Sequence, residues 1–112
     1  MTPEQNNKVR ALNDAFRTHP LGIGGRIMLS CGVSARGDGF INKALSAVRE
    51  FSDFNEDNDP HKEHDAAMFE LDGVVCYWKI DYYAADMMHG SEEPWDAAQT
   101  KRVLTIMEMM ER

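Results

Sequence analysis

Cysteine is scarce in this chain: Cys31 and Cys76 are the only two among 112 residues, which rules out a fold stapled by a disulfide framework. Long apolar runs are missing too. No stretch approaches the length of a membrane-spanning helix, and the leading MTPEQNNKVR has no apolar segment behind it, so a secretory signal is not expected. A soluble cytoplasmic protein is the expectation. Positive charge is in deficit, with 12 Lys+Arg against 19 Asp+Glu and a net charge of −7, which argues against direct binding to nucleic acid or to a membrane surface. Internal repeats, low-complexity tracts and linkers are also lacking. GIGGR (residues 22–26) lacks the lysine and spacing of a phosphate loop, and neither HExxH nor a cysteine-based zinc pattern occurs.

What is present suits one ordinary domain spanning residues 1–112. The apolar fraction of 43% lets a chain of this length bury roughly two-thirds of its unfolded surface without a metal or disulfide. Both cysteines lie in segments that read as strands with apolar flanks, so both are expected as buried free thiols. The acidity is regional. Residues 1–50 hold 7 Lys+Arg against 4 Asp+Glu, whereas residues 51–112 hold 5 against 15.

Apolar spacing and turn chemistry give an element order. Thr2, Pro3 and Gln5 form a capping box ahead of a helix with Val9, Leu12 and Phe16 on one face, stopping near His19-Pro20. A glycine-rich turn over Leu21–Gly25 leads into a strand from Arg26 to Cys31, in which Ile27, Leu29 and Cys31 point one way. Residues 32–39 read as a loop. Asp38 opens a second helix through Ile41, Ala44, Leu45, Val48 and Phe51. Residues 52–65 have no apolar period and read as an ordered loop, since Asn-Asp-Pro is strong turn chemistry. Residues 68–71, the Asp72-Gly73 turn and residues 74–82 form a hairpin with Val74, Cys76, Trp78, Ile80 and Tyr82 on its core face. From Pro94 or Asp96 a final helix is predicted, with Val103, Ile106, Met107 and Met110 along one side. The fold class is therefore α+β: a small antiparallel sheet of about three strands, helices on one face, in the order α-β-α-β-β-α.

The densest polar segment is NDPHKEHD, Asn58–Asp65, which precedes the strand ending in WKIDYY, Trp78–Tyr83. Together with GGRIMLSCGV (Gly24–Val33) and TKRVLTIM (Thr100–Met107), these motifs resemble a family of small proteobacterial proteins known only as a domain of unknown function. Its pattern is close to NDPHGEHDFG, WKIDYYD and TRRVLTIM. The resemblance covers nearly the whole chain and implies a single-domain fold and a setting in mobile genetic elements, but no activity. Lys62 replaces the family's glycine, Ala66-Ala67 its FG, and Ala84 its aspartate, which bears on any role requiring the tight turn or that carboxylate.

Two kinds of function follow from the residues. A chemical reading places a divalent metal, zinc or manganese, on His61, His64 and Asp65, with Glu63 or Asp59 completing a mixed nitrogen and oxygen set. Without metal, the same reading takes His64 as a base oriented by Asp65 or Asp81, with Tyr82 and Arg26 stabilising charge. Its plain counterpart is a loop pinned by His64, Asp65 and Asp59 with the rest solvated.

A binding reading needs no cofactor and uses the carboxylates instead. Asp53, Glu56, Asp57, Asp59, Glu63 and Asp65, with Asp86, Glu92, Glu93 and Asp96, form an anionic surface that imitates phosphates, and Phe54, Tyr83 and Trp95 anchor the contact. Small acidic inhibitors of restriction or CRISPR systems are the analogy. The expectation is a non-enzymatic acidic binding protein engaging a basic, nucleic-acid-binding partner.

Overall fold

The computed structural model of the protein describes residues 1–19 and 24–112. The turn expected over Leu21–Gly25 therefore lies mostly outside the described residues. Helix α1 (Pro3–Thr18) opens on the expected capping box: Gln5 N donates to Thr2 Oγ1 at 3.1 Å and Thr2 N donates to Gln5 Oε1 at 2.9 Å. It ends where His19 turns extended, as a residue before proline must. Its buried stripe is Val9, Asn13, Phe16 and Arg17, so half of the stripe is polar.

Strand β1 (Gly25–Leu29) starts at a glycine because a side chain there would collide with the Arg102 carbonyl and the Phe16 ring. The predicted strand stops short of Cys31. Ser30 accepts from Val33 N and caps a one-turn helix, α2 (Cys31–Ser34), within what reads as loop. That turn corrects the expected burial of both thiols: Cys31 is exposed, and Cys76 alone is buried. Helix α3 (Asp38–Glu50) begins where predicted and buries Phe40, Ala44 and Val48.

The hairpin forms as its sequence demands. Strands β2 (Ala66–Leu71) and β3 (Val74–Tyr83) pair antiparallel across Asp72 and Gly73, both at positive φ (51° and 78°), the backbone that a two-residue hairpin turn requires.

The final helix is not there. Residues Lys101–Glu108 form strand β4, and only Met109–Glu111 turn into a 3-10 helix. Val103, Ile106, Met107 and Met110 fit a helical period, but Arg102–Met107 is also a short, nearly continuous run rich in β-branched residues. Such a run suits a central, buried strand as well as a helix, and periodicity alone does not separate the two.

This strand reorganises the sheet. The order is β1-β4-β3-β2, four strands, with β4 parallel to β1 and antiparallel to β3. The class is α+β with helices on one face, as expected; the sheet is mixed, with four strands rather than about three. Trp78, Cys76, Ile80, Leu104, Ile106 and Ala67 face the helices and meet Phe16, Val33, Ala44 and Val48 in one core. Each such large side chain stabilises the fold by roughly 1.5–3 kcal/mol through removal from water. The opposite face carries Tyr77, a Lys79–Asp81 ion pair at 2.8 Å, and the half-buried Tyr83.

Candidate functional site

The polar loop of residues 51–65 is held by its own carboxylate and by α1. Asp59 is 5% exposed, and its Oδ1 accepts from the backbone N–H groups of Glu63 and His64, both at 3.2 Å. Asp59 thus leaves the acidic surface on which the sequence reading placed it and serves as the loop's internal staple. Lys62 and His64 take positive φ (56° and 54°), which turns the Lys62 and Glu63 carbonyls toward the helix. Arg10 Nη1 and Asn6 Nδ2 donate to Lys62 O, and Asn13 Nδ2 donates to Glu63 O at 3.0 Å.

The two histidines differ in exposure. His64 Nδ1 lies 3.0 Å from Asp14, its Nε2 is 3.7 Å from Asp59, and its ring stacks on Phe54 with centroids 3.9 Å apart. His61 is exposed. Among the described residues no three His, Cys, Asp or Glu side chains are grouped to hold a metal ion. Phe54, expected as an exposed anchor, is half-buried between His64 and the indole of Trp78.

The acid/base set is likewise spread. Asp81 points to the uncovered face beside Lys79 while Tyr82 points to the helices, where its hydroxyl accepts from Asn13 Nδ2 at 2.8 Å. Burial drives the Tyr82 phenol far above its ordinary range. Arg26 is exposed on β1, separated from β3 by β4.

What the structure does bring together are the two acidic segments. Ala66 pairs with Lys79 and Tyr83 with Lys101, so the chain entering β2 and the β3–β4 connection emerge at one end of the sheet. Residues 51–65 contain six acids and one lysine; residues 84–100 contain four acids and neither lysine nor arginine. A buried pair joins them. Asn13, fully enclosed, and Arg102, 3% exposed, are linked by Arg102 Nε donating to Asn13 Oδ1 at 2.8 Å. Asn13 holds Glu63 of the first segment, and Arg102 Nη2 donates to the Pro94 carbonyl of the second.

Around this tie the carboxylates differ. Asp53, Glu56, Asp57, Glu92 and Glu93 are exposed. Glu63 and Asp65 are half-buried and held above the ordinary carboxyl range, first by burial and then by neighbouring carboxylates, with His61 opposing. Asp86 is held low by accepting from the Met88 and His89 backbones and from the His89 ring. Asp96 caps the turn at Ala98, and the half-buried Trp95 lines a surface groove together with Lys8, Ala11 and Leu12 of α1.

Asn13, Arg102, Arg17 and Asp14 were not singled out by sequence reasoning. Their signal was available for the first and third: polar residues at positions 13 and 17 share the α1 stripe with Val9 and Phe16, and a polar group on an apolar stripe demands a buried partner.

The fold and this network define a small α+β protein with a polar-tied, acidic sheet end. The chain belongs to the family described as protein of unknown function DUF3768, whose model matches residues 29–111. No curated protein and no solved structure matches the chain.

Proposed function

We propose that this chain is a non-enzymatic binding protein that presents the acidic end of its sheet to a basic protein, as an inhibitor or accessory factor occupying a nucleic-acid-binding surface. The observation that supports this reading is the Asn13–Arg102 tie, which sets both acidic segments at one end of the molecule and leaves their outer carboxylates exposed. A preformed array of this kind costs little ordering entropy on binding and steers a cationic partner by its field. Tyr83, at the same end, supplies apolar area to the contact. Asp53, Glu56, Asp57, Glu92 and Glu93 are the groups that meet lysine and arginine side chains. Restriction or CRISPR machinery carried against mobile elements is the class of partner that fits.

The test uses the whole chain as bait in its host extract, beside a variant with Asp53→Asn, Glu56→Gln, Asp57→Asn, Glu92→Gln and Glu93→Gln. The expected result is capture of a lysine- and arginine-rich nucleic-acid-binding protein that weakens steeply between low and physiological salt and is lost from the variant. Retention by the variant, or affinity indifferent to salt, overturns the reading.

A further inference from the structure

The sheet face turned away from the helices is more apolar than a solvated face should be, since outward positions of such a sheet are ordinarily polar. Alternation from the core residues Ala67, Cys76, Trp78, Leu104 and Ile106 turns Met68, Val75, Tyr77, Val103 and Met107 outward. On β1, Ile27 and Leu29 pack on the core, so Met28 between them joins the outer face. Met28 is 47% exposed, Met68 54% and Val75 45%. Register makes a patch of them: Tyr77 pairs with Met107 on one side and with Met68 on the other, so an apolar row crosses β4, β3 and β2. Apolar side chains gathered this way mark a contact surface, and methionine adapts to the relief of a partner.

The charges on this face narrow what covers it. By the same alternation Arg26, Lys79 and Lys101 lie here with Glu70 and Asp81, and the Arg112 guanidinium sits over the Tyr77 ring, 4.3 Å from its centroid. Cations outnumber acids, so the basic partner proposed for the acidic end is repelled from this face. Lys79 already holds Asp81, whereas Glu70 is exposed and forms no ion pair among the described residues. In a chain of net charge −7, two copies repel at their acidic ends but not here.

We infer that this face is the interface of a homodimer, two sheets packed face to face about 10 Å apart, with β3 of one protomer running opposite to β3 of its partner. The row of Met107, Tyr77 and Met68 then crosses its own copy at the two-fold axis. Two residues before Tyr77 stands Val75, paired with Glu70, and two after it stands Lys79. Reversal about the row therefore brings Glu70 of one protomer beside Lys79 of its partner, so the charges complement each other. It also sends the two acidic ends in opposite directions, where their mutual repulsion is least and both stay open. The area suffices for a small interface. Four strands about 4.8 Å apart, with the eight residues of β4 rising about 3.3 Å each, give roughly 500 Å² before side-chain relief. A specific interface takes about 600–1,000 Å² from each partner.

Light scattering and sedimentation equilibrium on the whole chain read the mass, and the expected species is twice 12.7 kDa, dissociating on dilution. Met68→Lys sets like charges against each other at the axis and weakens the dimer at least about tenfold, with the fold intact by circular dichroism because Met68 is exposed. Met68→Glu does the same alone. An equimolar mixture of the two variants dimerises again, since residue 68 meets its own copy across the axis. A native chain that is monomeric at its highest soluble concentration, a dimer indifferent to Met68→Lys, or a variant mixture that stays monomeric overturns the inference. So does a monomer in which a single-stranded oligonucleotide shifts the amides of this face, which assigns the face to nucleic acid. Should both variants fail to fold, cross-saturation NMR between labelled and unlabelled native chains decides: transfer to the methyls of Met28, Met68 and Val75 upholds the interface, and transfer elsewhere overturns it.

Discussion

Asn13 carries more of this structure than any acidic residue of the motif beside it. Its amide donates to the Glu63 carbonyl and the Tyr82 hydroxyl and accepts from Arg102, three elements gathered by one enclosed side chain. Asn13→Leu keeps the volume and strands those groups in the interior, at roughly 1–3 kcal/mol for each one left unpaired. Urea unfolding should show a loss of about 3 kcal/mol; a change within about 0.5 kcal/mol, the range of a plain surface substitution, would deny Asn13 this role. Glu63 sets a second expectation. Its folded-state pKa lies above the ordinary 4.5, chiefly through burial. A raised carboxyl pKa means that the native state holds the proton more tightly than the unfolded chain. Its contribution is therefore most favourable below the ordinary value and is lost as pH rises through the folded one. Glu63→Gln should melt higher than the parent at pH 7, and the two should converge as pH falls below 4.5; equal melting at both ends would contradict the assignment. The octapeptide itself was legible as an ordered loop, because Asn-Asp-Pro and closely spaced carboxylates are local turn chemistry. Which of its groups face inward was not, since Asp59 is hidden by its own loop backbone and His64 by residues 50 and 10 positions away in the chain, Asp14 and Phe54.

At the level of elements, the capping box, both main helices and the Asp-Gly hairpin follow from signals within a few residues of where they act. Strand β4 is the exception. Arg102–Leu104 and Ile106–Met107 are all buried although helices cover only one face of the sheet, so burial along the strand does not alternate and the apolar run fits two periods equally well. Its central place makes it sensitive. Ile106 is fully buried, pairs with Leu29 of β1 and Trp78 of β3, and Ile106→Ala should cost about 4 kcal/mol by urea unfolding. A cost under about 1 kcal/mol would mean that the strand is not the centre of the sheet. Cys31 follows the same logic on a smaller scale: its apolar neighbours suggest burial, yet Ser30 caps a turn there and leaves the thiol outside.

For the molecule as a whole, two segments of net charge −5 and −4, taken from six acids with one lysine and from four acids alone, open from one end of the sheet. Like charges gathered this way repel, so the arrangement costs stability that salt restores. Raising sodium chloride from low concentration to about one molar, where the Debye length falls to about 3 Å, should raise the melting temperature of the native chain more than that of the variant neutralised at Asp53, Glu56, Asp57, Glu92 and Glu93. Identical salt responses would show that the two segments do not share a field. Among the described residues no helix is long and apolar enough to cross a membrane.

The sequence by itself determined what depends on near neighbours: caps, turns, the amphipathic helices, the hairpin register and the excess of negative charge in residues 51–112. Tertiary structure decided what depends on groups remote in the chain. It placed β4 between β1 and β3, withdrew Asp59 from the surface, set His64 against Asp14 and Phe54 while leaving His61 exposed, and joined two acidic segments through Asn13 and Arg102. The reason is physical: a polar group reveals by its type that it needs a partner, but only the packed chain selects which partner is within hydrogen-bonding reach.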